Sequence, residues 1–188
     1  IMSKENELEN EIKEIFQIYI RTRHSYKSFL CLSEIDDISM FWRHLTFISQ
    51  KDLFIEIDKL TSFSGNQKFR LTTLFNKLRS GGHFQKFNFS EKKLDNWNNE
   101  LNKLSDYTQK ISTLRDEKFG HTDRNKKEEH KTINIQSSKF KKLLDIIEDI
   151  IKTIYLDCLN KYIKEDINHF IPKINPKNEI EKAYSKLT

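Results

Sequence analysis

Arg115 and His121 are the two side chains whose types and spacing could do chemistry. They lie in the run Leu114-Arg115-Asp116-Glu117-Lys118-Phe119-Gly120-His121-Thr122-Asp123. Arginine is a permanent cation with a forked set of donors that matches phosphate oxygens, and histidine titrates near neutrality. Together they supply what phosphodiester cleavage asks of a protein: charge stabilisation on the phosphate and a group that moves protons. Most charged runs are solvated helix faces, so the elements that carry this one decide how it reads.

The apolar stripe Leu94, Trp97, Leu101, Leu104, Thr108 and Ile111 leads directly to Arg115. It predicts one long amphipathic helix, capped by Ser90, with Glu91 in the first turn where the helix dipole favours an acid. His121 lies seven residues beyond Leu114. The motif therefore prolongs the inward face rather than the solvated one. On a straight helix Arg115 and His121 would differ by about 240° in direction. The reach of arginine, a bend permitted by Gly120, or pairing of one subunit's arginine with the other's histidine each relieves that mismatch. A helix C-terminus favours protonated histidine while a nearby arginine opposes it, which suits proton transfer in both directions.

The remaining elements read as helices too. Ser3 opens a first helix through Leu8, Ile12, Ile15, Phe16 and Tyr19, reaching Arg23 and extendable through Tyr26, Phe29 and Leu30. Ser39 opens a second through Phe41, Trp42, Leu45, Ile48, Leu53, Ile57 and Leu60, and a shorter third runs from Phe69 to Leu78 before Gly81-Gly82. Ser137 or Ser138 opens the last, through Phe140, Leu143, Leu144, Ile147, Ile150, Ile151, Ile154, Leu156 and Leu159. The segment 122–136 reads as a charged loop, with a short extended piece at Thr132 to Ile135. The fold class is all-α: an up-and-down bundle of about five helices over residues 1–170, followed by a partly helical C-terminal tail at 171–188.

Composition agrees with that class. Only 4 Gly and 2 Pro punctuate 188 residues, too few for a sheet protein's turns. Lys+Arg 33 against Asp+Glu 28 gives a net charge of +5, compatible with a polyanionic partner without establishing one. Cys31 and Cys158 sit amid apolar neighbours and read as buried small hydrophobes of a reducing compartment. No apolar run reaches the roughly 18 residues of a membrane span, and the start carries no secretory signal pattern, so the expected localisation is cytoplasmic. Trp42 and Trp97 read as core. The other histidines show no ligand spacing and Gly81-Gly82 lacks the Gly-Lys-Ser/Thr of a phosphate loop, so neither a metal nor another cofactor is expected.

The Arg-x5-His pattern at the end of a helix in an all-α bundle resembles the HEPN (higher eukaryotes and prokaryotes nucleotide-binding) superfamily. The order Leu-Arg-Asp-x-x-Phe-Gly-His-Thr-Asp looks like its abortive-infection branch, in which a small residue precedes the histidine and Thr-Asp follows. The likeness covers about residues 35–165, its specific part being the motif itself. It implies metal-independent RNA cleavage by a homodimer. Arg115 would bind the scissile phosphate, His121 would act as general base or acid on the ribose 2′-hydroxyl and the leaving oxygen, and Asp116 would orient one of them. Lys118, Thr122, Asp123 and Arg124 would contact the RNA. The resemblance also implies a toxin or antiviral defence effector, held in check by an antitoxin or other regulatory protein.

A blander reading makes His121 a helix C-cap and pairs Arg115 with a neighbouring acid. The alternative functions are then a catalytically inactive helical module that binds RNA, a nucleotide or a protein, and a purely structural bundle.

Overall fold

The computed structural model describes residues 3–34, 39–62, 67–116, 137–163 and 178. Ser3 starts the first helix, its hydroxyl accepting the Asn6 N–H at 3.2 Å. α1 then runs Lys4–Ser33, 30 residues without a break, about 45 Å long at the α-helical rise. The stripe Leu8, Ile12, Ile15, Phe16 and Tyr19 is buried as the spacing predicts, and Phe29 and Leu32 extend it. The other helices are α2 (Met40–Thr61), α3 (Leu71–Leu78), α4 (Glu91–Asn102), α5 (Ser105–Arg115) and α6 (Ser137–Leu159), with one 3₁₀ turn at Gln85–Phe87. Among the described residues there is no strand. The all-α, up-and-down bundle stands.

Named side-chain pairs fix the helix directions. α1 and α2 form an antiparallel hairpin, with Arg21 on Glu56 at 3.0 Å. α6 runs back along α1, where the Tyr19 hydroxyl donates to Glu148 at 2.5 Å and Lys161 reaches Glu9 at 2.6 Å. α4 lies antiparallel to α6, joined by Lys93–Asp157 at 2.7 Å, Trp97 Nε1–Asp149 at 2.7 Å and Lys142–Glu100 at 2.9 Å. One continuous apolar core fills the space between them, from Leu8 on α1 to Leu159 on α6. Each fully buried aliphatic side chain there contributes about 1.5–3 kcal/mol against chain entropy.

Four expectations are corrected. The long helix expected to run from Ser90 to Arg115 is two helices, making six α-helices among the described residues. The break falls at Lys103–Leu104, where the Leu104 N–H bonds Leu101 C=O at 3.0 Å, one residue short of the α-helical partner. Neither glycine nor proline causes it. Asn98, Asn99, Asn102, Ser105 and Asp106 surround the break, and short polar side chains compete with the helical backbone.

On α2 the Phe41–Ile48 row faces outward, with Phe41 54% and Ile48 39% exposed. The inward row is instead Trp42, Thr46, Gln50, Leu53, Ile57 and Leu60. Thr46 can face inward because its hydroxyl donates to the Trp42 carbonyl at 2.9 Å, so no polar group is left unmet. On α6, Leu156 is likewise turned out and Tyr155 takes the buried place beside Ile154.

Cys31 and Cys158 are only half-buried. Burial still pushes the Cys158 thiol up to about 12, with the Asp157 carboxylate adding to it, which makes it a poor nucleophile. The expected extended piece at Thr132 to Ile135 lies outside the described residues, as does the tail apart from Asn178. No described helix is long and apolar enough to cross a membrane.

Candidate active site

Arg115 is the last residue of α5, which crosses against the C-terminal half of α2. The α5 stripe continues through Thr108 and Ile111, both buried, so Arg115 arrives at the boundary of the core with its side chain 22% exposed. Facing it from α2 is Asp58, which is 1% exposed. Asp58 follows Phe54 by one turn and sits between Ile57 and Leu60, so helical geometry points its carboxylate inward with the apolar row. An unpaired carboxylate there would be very costly. Arg115 meets it: Nη1 donates to Asp58 Oδ2.

The rest of the guanidinium is held by Asp116, the residue that follows. Nε donates to Asp116 Oδ1 at 2.9 Å and Nη2 donates to the same oxygen at 2.5 Å. Asp116 is 57% exposed on its side chain, whereas Asp58 is 2%. Arginine carries five N–H donors. Three of them are engaged by these two carboxylates, which leaves one on Nη1 and one on Nη2 among the described residues. The end of α5 carries partial negative charge, which adds to the attraction for the cation.

One turn beyond Asp58, α2 ends at a small cavity of about 100 Å³, lined by Leu60, Thr61, Ser62, Arg70, Thr72 and Thr108 among others. It is well below the roughly 300 Å³ that an ordinary small-molecule pocket offers. The described part of the site is therefore an anchored cation at a protein edge rather than an enclosed pocket.

Of the residues expected at the site, the structure brings Arg115 and Asp116 together. Lys118, His121, Thr122, Asp123 and Arg124 lie outside the described residues, as does His130. His83 belongs elsewhere: its Nε2 lies 2.6 Å from Glu7 on α1, with Lys4 beside it. Among the described residues no group of three or more His, Cys, Asp or Glu is placed to hold a metal ion. Trp42 and Trp97 are core, as read.

Asp58 is the residue that sequence reasoning missed. The signal was present: an acid at an inward position of an apolar helix is either neutralised by a partner or it is not tolerated.

Residues 5–168 match the family model described as HEPN_AbiU2, AbiU2. The chain belongs to the HEPN_AbiU2 family. It thereby falls in the HEPN superfamily, in its abortive-infection type. The HEPN match takes in α1, which lies ahead of the residues 35–165 that carry the resemblance. No curated protein and no solved structure matches the chain.

Proposed function

We infer that this HEPN_AbiU2 chain is a metal-independent endoribonuclease of the abortive-infection kind, in which Arg115 binds the scissile phosphate. The observation that carries the reading is the state of Arg115: a guanidinium fastened at its inner side by buried Asp58 and held at its outer side only by the exposed carboxylate of Asp116, at the edge of a HEPN bundle. A fixed cation at the place where charge develops is worth more than a mobile one, because it needs no reorganisation during the reaction.

The chemistry needs only RNA and two protein groups. The ribose 2′-oxygen attacks the adjacent phosphorus as its proton passes to a base. Negative charge builds on the non-bridging oxygens, which Arg115 stabilises. The 5′-oxygen leaves with a proton, giving a 2′,3′-cyclic phosphate and a 5′-hydroxyl. His121 is assigned both proton transfers, a role worth about 10²–10⁴ in rate. Because RNA supplies its own nucleophile, this route asks nothing of a metal. The Arg115-to-His121 spacing, about 240° on a straight helix, favours a homodimer in which the two groups come from different protomers.

The test is cleavage of a defined RNA by the purified chain in EDTA, with His121→Ala and Arg115→Lys beside it. The expected result is cyclic-phosphate products from the wild type, none from an RNA carrying 2′-O-methyl groups, and loss of at least 10²-fold in each variant. Sedimentation should show a dimer. RNA binding without products would move the chain to the inactive binding module.

A further inference from the structure

We propose that Asp58 is a positioning residue for the phosphate-binding edge of Arg115, and that Asp116 holds that edge only until a phosphate replaces it. The proposal rests on the reading of Arg115 as the phosphate-binding group.

The two carboxylates that share Arg115 are unlike in every respect that matters. Asp58 lies in the last turn of α2, fully inside, and cannot leave without moving a helix whose inward row packs on α1 and α5. Asp116 is exposed, caps the end of α5 and is bonded through a single oxygen. Arginine's side chain is long and rotates freely when it is not held. Gripping Nη1 from inside removes that freedom and turns the Nε–Nη2 side outward.

On this outward side Asp116 accepts from Nε and Nη2, the same two parallel donors that would bond a phosphate. Together the two carboxylates and the one guanidinium carry a net charge of −1 (two minus, one plus), which opposes the approach of a polyanion to Arg115. Release of Asp116 restores neutrality and frees Nε and Nη2, while Asp58 keeps the fork in place. Asp58 acts through Arg115 and touches no substrate.

The experiment compares Asp58→Asn, Asp58→Ala and Asp116→Ala for RNA cleavage, each also in an Arg115→Lys background. A misplaced binding group costs about 10²-fold in rate. Asp58→Ala should therefore lower kcat by about that factor, with Asp58→Asn intermediate because its amide oxygen still accepts from Nη1. The Kd for a 2′-O-methyl RNA, which many phosphate contacts set, should change less than threefold. Asp116→Ala should bind that RNA more tightly than wild type. In the Arg115→Lys background the Asp58 substitutions should cost nothing further.

Nitrogen-15 NMR of the Arg115 guanidinium gives a readout independent of cleavage. Rotation of its Nη1 group should be slow in wild type and Asp116→Ala, fast in Asp58→Ala and intermediate in Asp58→Asn. Unchanged kcat and slow rotation in Asp58→Asn would overturn the proposal, as would an equal Asp58 effect without the arginine. If Asp58→Ala does not fold, Asp58→Asn decides by the same measures. A wild type that cleaves no RNA instead overturns the nuclease reading, and the role assigned to Asp58 in it.

Discussion

Arg115 Nη1 donates to Asp58 Oδ2 across a sequence separation of 57 residues, joining the end of α5 to the inner face of α2. This ion pair is asymmetric: the acid is enclosed and the base reaches the surface. Removing the base is therefore a different experiment from removing the pair.

Arg115→Ala should destabilise the chain by about 3 kcal/mol, toward the lower end of what an orphaned buried charge costs, since the arginine is partly solvated. Asp58→Asn combined with Arg115→Gln should lose less than half of that, because no charge is left buried. Urea unfolding of the two variants checks it, and equal losses would contradict the asymmetry. The same reasoning recommends Arg115→Lys over Arg115→Ala for activity work, because lysine keeps a cation beside Asp58.

The Tyr19–Arg23–Glu148–Lys152 group ties α1 to α6 and makes stability depend on acid. Burial works against ionisation of Glu148, but the hydrogen bonds from Lys152 and Tyr19 outweigh it and hold the carboxyl below its usual value of 4.5. A lowered folded value means stability that is present above the unfolded value and lost as pH falls through the folded one. Glu148→Gln should therefore give a flatter fall in Tm below about pH 4.5 than wild type. Parallel acid limbs would show that Glu148 contributes nothing.

Tyr107 predicts the opposite limb. Its hydroxyl is buried and has no hydrogen-bond partner among the described residues. Burial raises it above the usual value of 10.0, with Tyr26 adding to the shift. Stability from a raised group is present below the unfolded value and lost as pH climbs past it. Tyr107→Phe should be neutral or stabilising by about 1 kcal/mol at pH 7, since it removes an unmet polar group. It should also soften the loss of Tm above pH 10. A variant less stable than wild type at neutral pH would mean that the hydroxyl has a partner.

The helices themselves were legible in the sequence. A 3.6-residue apolar period is a local property, and it located α1, α2, α3 and α6 and the serine caps at Ser3 and Ser90. Local signals also marked Arg115 as inward-pointing, because it continues the row through Thr108 and Ile111. The same period misled where two rows competed. α2 is apolar on more than one side, and only its docking against α1 and α5 decided that Trp42 and Gln50 go in while Phe41 stays out. The α4–α5 break was masked by the apolar spacing, which runs unperturbed through Leu101, Leu104 and Thr108 and outweighs the local signal of the short polar residues around it.

Sequence alone thus determined the class of fold, the inward faces of α1 and α3 and the residue type at the end of α5, because each follows from neighbours a few positions apart. The tertiary structure decided which acid faces Arg115. That pairing spans 57 residues and exists only once α5 lies across α2. Burial then makes the two carboxylates on one guanidinium unequal: Asp58 is held inside by the core, and Asp116 remains in water.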